Sequence, residues 1–120
     1  MQYLLLIYDQ ESEWDKLSEA QKGKMYQDYG EFTQSITKSG HYIGGHQLHP
    51  VAQATTVRVR DGKKLITDGP FAETKEQLAG YYMVEAKDLD DAVAIASRIP
   101  SARFGSIEVR PIVSRDGPRP

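Results

Sequence analysis

The sequence predicts an α+β fold, a single antiparallel sheet with two helices on one of its faces, and three observations predict it. Tyr3, Leu4, Leu5, Leu6, Ile7 and Tyr8 form a nearly unbroken apolar run, as expected of a strand buried on both faces at the centre of a sheet. Two segments, 18–39 and 88–99, begin with capping residues and continue with apolar positions at helical spacing. Around them stand short runs of aromatic and β-branched residues punctuated by Gly, Asp and Pro. The order is strand, helix, strand, hairpin, strand, helix, strand. Right-handed crossovers then bring the first and third main strands together and place both helices on one face. The result is a ferredoxin-like βαββαβ sandwich with an inserted hairpin.

Each element has its own signal. Ser18 and Gln21 make a capping box, and Tyr26, Tyr29, Phe32, Thr33 and Ile36 recur at helical spacing until Gly40. This stripe reads as core. "HYIGGHQL" predicts a short bent strand, with Gly44-Gly45 marking a bulge or a close backbone approach. "TTVRVR" and "KKLIT" flank Asp61-Gly62, a pair that supplies the positive φ values of a tight hairpin turn. "GYYMVEA" is the next strand. Asp88 caps the second helix, whose apolar face is Leu89, Ala92, Val93, Ala96 and Ile99 and which Pro100 stops. "SIEVRPI" closes the domain, Ile107 and Val109 on one face and Glu108 and Arg110 on the other. The domain spans 1–113, and 114–120 is expected to be a flexible tail.

With 120 residues the chain suffices for one core without staples. It has no cysteine, which excludes disulfides, thiolate metal ligands and thiol nucleophiles and fits a cytoplasmic location. The apolar run at the start is too short for an export signal, and no stretch approaches the roughly 20 apolar residues of a membrane span. A formal net charge of -2 lacks the electrostatic pull of nucleic-acid binders. "AGYYMVEA" echoes the RNA-recognition signature only faintly, with Ala79 and Ala86 where a cation and an aromatic are wanted. No nucleotide-binding or nucleophile-elbow motif occurs, so no cofactor is expected. The sheet face without helices, against a first strand apolar on both sides, calls for a cover, and a second copy of the chain is the economical one.

Asp68-Gly69-Pro70 is by itself a turn signal, and a second copy stands at Asp116-Gly117-Pro118. The first copy is distinguished by its place at a strand end, followed by Phe71 and a polar connection into Tyr81-Tyr82. The stretch "TDGPFAETKEQLAGYY", with "VRVRDGKKL", "DLDDAVAIASRIPSAR" and "GSIEVRPI", resembles the YCII-related proteins of the DGPF subgroup, small bacterial proteins, over about Tyr3 to Val113. The resemblance implies a ferredoxin-like protomer paired into a dimeric α/β barrel. It also implies kinship with cofactor-free enzymes that act on small organic molecules in a cleft beside the sheet. Some members of the subgroup accompany extracytoplasmic-function sigma factors, which implies as an alternative a non-catalytic sensor or interaction module in transcriptional regulation. The His–Asp pair of other YCII proteins is missing: segment 18–39 holds no histidine, and Ile99 precedes Pro100.

Asp68, at a strand end, is the first candidate for a general base or for a polar ligand contact; its other reading is an Asx-turn acceptor. Gly69, Pro70 and Phe71 accompany it as ligand-contact candidates, Phe71 either lining the cleft or plugging the core. His46 is the second catalytic candidate, a base beside the flexible Gly44-Gly45. His41, His46 and His49 would hold a metal only if a kink brought them together, and no metal is expected. Glu73, Lys75 and Glu76 read as a solvated loop, or else as a lid or a dimer contact. Tyr81 and Tyr82 alternate across the sheet, so one phenol faces the helices and the other the open side. The expectation is a homodimer that binds a small organic molecule.

Overall fold

The computed structural model describes residues 1–115, so most of the expected tail, including the second Asp-Gly-Pro, lies outside the described residues. In chain order the elements are β1 (Gln2–Asp9), α1 (Glu11–Asp15), α2 (Glu19–Lys38), β2 (Tyr42–Gln47), β3 (Thr55–Arg60), β4 (Lys63–Asp68), β5 (Gln77–Glu85), α3 (Leu89–Ala96) and β6 (Ser106–Pro111), with 3-10 turns at Val51–Gln53 and Pro100–Arg103. Four strands form one sheet in the order β2-β5-β1-β6, every neighbouring pair antiparallel. This is the ferredoxin-like arrangement. β3 and β4 form a ribbon of their own.

Local chemistry explains the element ends. The Gln21 amide donates to Ser18 Oγ at 3.1 Å and the Ser18 amide to Gln21 Oε1 at 2.9 Å, a complete capping box contributing about 1 kcal/mol. Asp88 Oδ1 accepts from the Asp91 amide at 2.9 Å and starts α3. At the ribbon tip Asp61 and Gly62 take φ values of 52° and 73°, the paired positive angles of a two-residue hairpin.

Strand alternation divides the sheet. Tyr3, Leu5 and Ile7 of β1 and Tyr82 and Val84 of β5 turn to the helices and pack with Phe32 and Ile36 of α2 and with Ala92, Ile95, Ala96 and Ile99. The other face carries Leu4, Leu6 and Tyr8, which are only half-buried because none of the described elements lies over them.

Three local expectations are corrected. Tyr26 is 54% exposed and meets the edge of Trp14 at 5.6 Å between ring centroids, because α1, not foreseen, brings Trp14 to the outer surface of α2. The second helix ends at Ala96, with Ser97 as its C-cap, and Pro100 opens a 3-10 turn of its own. Its core face is Ala92, Ile95 and Ala96, continued past its end by buried Ile99, leaving Leu89 and Val93 exposed. The i, i+3, i+4, i+7 spacing fits either set; the direction from which the sheet approaches selects one.

Candidate functional site

The open face of the sheet is built by strand register. Directly opposed residues across the four strands form two transverse rows, His46–Tyr81–Leu6–Glu108 and Gly44–Met83–Leu4–Arg110. With neighbouring strands about 4.8 Å apart, each row spans about 14 Å. One edge is a hydrogen-bonding pair: His46 Nδ1 and Tyr81 Oη lie 2.8 Å apart, the rings 5.7 Å between centroids. The middle is an apolar trough of Leu4, Leu6 and Met83. The far edge is an ion pair in which Arg110 Nε donates to Glu108 at 2.8 Å.

Two glycines hold β2 against β5 at this place. A Cβ on Gly80 would lie 2.7 Å from the His46 carbonyl oxygen, and one on Gly45 would lie 2.9 Å from the Tyr81 carbonyl oxygen. Both contacts are with backbone, which cannot swing away. The strands therefore close on the His46–Tyr81 pair only because these positions carry no side chain.

The chemistry open to the pair is proton relay. One hydrogen is shared between the phenol and Nδ1, so the tautomer with hydrogen on Nε2 lets Tyr81 donate and leaves an N–H directed elsewhere. Such a pair recognises a hydroxyl, carbonyl or carboxylate and can pass a proton to it.

Tyr82 takes the opposite side. It is buried, its hydroxyl 2.7 Å from Thr33 Oγ1 and its ring edge-on to Phe32 at 5.2 Å; burial pushes the pKa of its phenol above the usual value. Tyr81 is the phenol of the open face. Asp68 ends β4, is exposed and, among the described residues, accepts no side-chain hydrogen bond. Gly69 has φ 99°, its amide donates to the Ala54 carbonyl at 2.7 Å, and its own carbonyl accepts from Thr56 Oγ1 at 2.8 Å. Arg58 reaches the Phe71 carbonyl at 3.4 Å, while the Phe71 ring is 78% exposed. The segment Asp68-Gly69-Pro70-Phe71 thus ties the end of β4 to the start of β3 and leads the chain on toward β5.

The three histidines go to different places. His41 Nδ1 lies 2.6 Å from Ser39 Oγ and its Nε2 3.3 Å from Asp91 Oδ2, tying the end of α2 to α3. His49 is exposed in the connection after β2. Among the described residues no three acidic or imidazole groups converge as a metal site.

One polar cluster was missed in the sequence. Asp9 continues the parity of Leu5 and Ile7 and so turns to the helix side, near buried Ser101, whose Oγ lies 2.5 Å from Tyr29 Oη. Desolvation first, then Glu11 and Glu76, push the Asp9 carboxyl above its ordinary value, with the Ser101 hydroxyl opposing. The parity was legible; Ser101, lying just past a proline stop, gave no sign. On the outer surface of the helix layer a shallow groove is lined by Lys24, Asp28, Phe32, Arg98 and Arg103. Asp28 is held there by Lys24 at 2.7 Å and Arg103 at 3.4 Å, which leaves an ion-paired crevice on the side away from His46.

Fold and open face together define a ferredoxin-like α+β protein with one sheet face bare among the described residues of the single chain. The chain belongs to the YCII-related domain family, whose family model matches residues 1–115. It is similar to an uncharacterized protein of Rhizobium meliloti (strain 1021), 34% identical over 114 residues that cover 93% of this chain and 92% of that one.

Proposed function

We propose that the protein binds a small organic molecule on the open sheet face, in a cleft completed when two copies face each other. The observation that carries this is the His46–Tyr81 contact of 2.8 Å at the edge of a half-buried apolar trough. An apolar ligand body lies over Leu4, Leu6 and Met83, and an oxygen function meets the imidazole and phenol. In an enzymatic version His46 is the base and Tyr81 the hydrogen-bond donor; Asp68, at the root of the ribbon, is the other candidate base. The absence of a histidine from segment 18–39 moves any acid/base chemistry to the sheet.

Amide-resolved NMR of the labelled protein against a library of small aromatic and aliphatic acids, alcohols and ketones tests this. The expected shifts cluster at Gly44–His46, Tyr81–Met83 and Leu4–Leu6. Shifts confined to the Lys24–Arg103 groove, or none across the library, would overturn it.

A further inference from the structure

The β3–β4 ribbon is an arm. Among the described residues its strands pair only with each other, and it carries Val57, Val59 and Ile66, which are 57%, 61% and 60% exposed. Strand parity puts all three on one side, Val57 directly opposite Ile66. A two-stranded hairpin alone in water is marginal, and a stripe of branched apolar residues on an uncovered ribbon invites pairing. The radius of gyration, 16.6 Å, exceeds the about 14 Å of a compact chain of this length. The arm leaves the sheet where β2 ends, beside His46, and the chain returns at the start of β5, just ahead of Tyr81.

Charge indicates what covers it. Residues 58–64 hold Arg58, Arg60, Lys63 and Lys64 against Asp61, a net +3. Residues 9–19 hold Asp9, Glu11, Glu13, Asp15 and Glu19 against Lys16, a net -4. Among the described residues none of the four arm cations forms an ion pair, and of those five acids only Glu13 does, with Lys16. Within one chain the two patches leave each other unpaired; between copies they are complementary, and complementary patches fix register.

We propose that the β3–β4 arm clasps a second copy of the chain, its Val57–Val59–Ile66 side packed on the partner and its basic tip set against the partner's acidic segment 9–19, so that the arm walls the His46–Tyr81 cleft. This rests on the two-copy cleft proposed above. The occupant is the same chain and not an acidic macromolecule, because the arm's apolar stripe needs an apolar partner and the bare sheet face of a second copy offers one.

The cysteine-free sequence makes the test direct. Val57→Cys and Ile66→Cys, each in the full chain, are compared with Gln34→Cys on the exposed outer side of α2 for their rate of reaction with a maleimide, alongside native mass measurement. In the two-copy form the arm thiols react about tenfold more slowly than the α2 thiol, because they react only while the interface is open; dilution to single chains abolishes the difference. Lys63→Glu with Lys64→Glu weakens the pair most at low salt, and Glu11→Lys with Glu19→Lys in the same chain restores it. Equal thiol rates in a chain that is demonstrably paired would overturn the clasp and leave the sheet-face cleft standing. A single chain at every concentration would overturn both.

Discussion

His46 Nδ1 and Tyr81 Oη meet at 2.8 Å on a sheet face that no other part of the described chain covers. A pair of polar side chains exposed to water gains little stability from such a bond, which is why the proposed cleft assigns it to a ligand. Tyr81→Phe is expected to keep the fold and weaken ligand binding by about tenfold, the worth of one hydrogen bond of about 1.4 kcal/mol. His46→Ala weakens it further. Isothermal titration with a ligand found by NMR reads both; unchanged affinity in both variants would remove the pair from the site.

The two close glycines give a sharper structural expectation. Gly80→Ala forces a Cβ to 2.7 Å from the His46 carbonyl oxygen, and relief requires β2 to move off β5. The cost is expected to be about 2–4 kcal/mol, in the range of overpacking and lost ladder bonds, with the β2 amides losing exchange protection first. Gly23→Ala and Gly30→Ala in α2 meet nothing within 4 Å and are expected to stabilise by about 0.5–1 kcal/mol. Urea unfolding of the three variants distinguishes a tight strand contact from a general intolerance of alanine.

Asp9 carries a pH signature. Its carboxyl is raised in the folded chain, mainly by desolvation and by Glu11 and Glu76, from an ordinary value of 3.8. The folded state therefore holds this proton more tightly than the unfolded state does, so ionisation of Asp9 costs stability. The cost is absent below about 3.8 and is fully present once pH exceeds the raised folded value. Asp9→Asn is accordingly expected to raise the melting temperature at pH 7 and to leave it unchanged near pH 3. A fall at pH 7 would show that ionised Asp9 is held by a favourable contact.

The core makes the plainest demand. Leu5 and Ile36 are wholly inaccessible, and either change to Ala is expected to cost about 2–5 kcal/mol. Leu6→Ala, one residue along β1 and on the open face, is expected to cost well under half of that in the single chain. Equal losses at Leu5 and Leu6 by denaturant unfolding at low protein concentration would mean that the open face is covered within one chain.

Much of this was legible in the residues, for identifiable reasons. The Ser18–Gln21 box, the Asp88 cap and the Asp61-Gly62 turn are local bonds that need no tertiary context, and all three form as expected. The parity of β1 and β5 put Tyr81 and Tyr82 on opposite faces, although not which on which. What was hidden depended on approach from elsewhere in the chain. Trp14 shields part of Tyr26 only because α1 forms, and the sheet's direction of contact chose Ile95 over Val93 in α3. The juxtaposition of His46 with Tyr81, 35 residues apart, is a matter of strand register, which a sequence read one segment at a time does not supply.

In the proposed function the bare sheet face is a ligand cleft shared by two copies. Native mass spectrometry of the protein purified without denaturation tests it most directly. A two-copy cleft gives a mass of two chains with a small molecule retained, and loss of that molecule in His46→Ala while the two-chain mass persists. A single chain at all concentrations, or a pair that retains its molecule undiminished when His46 and Tyr81 are both replaced, would contradict it.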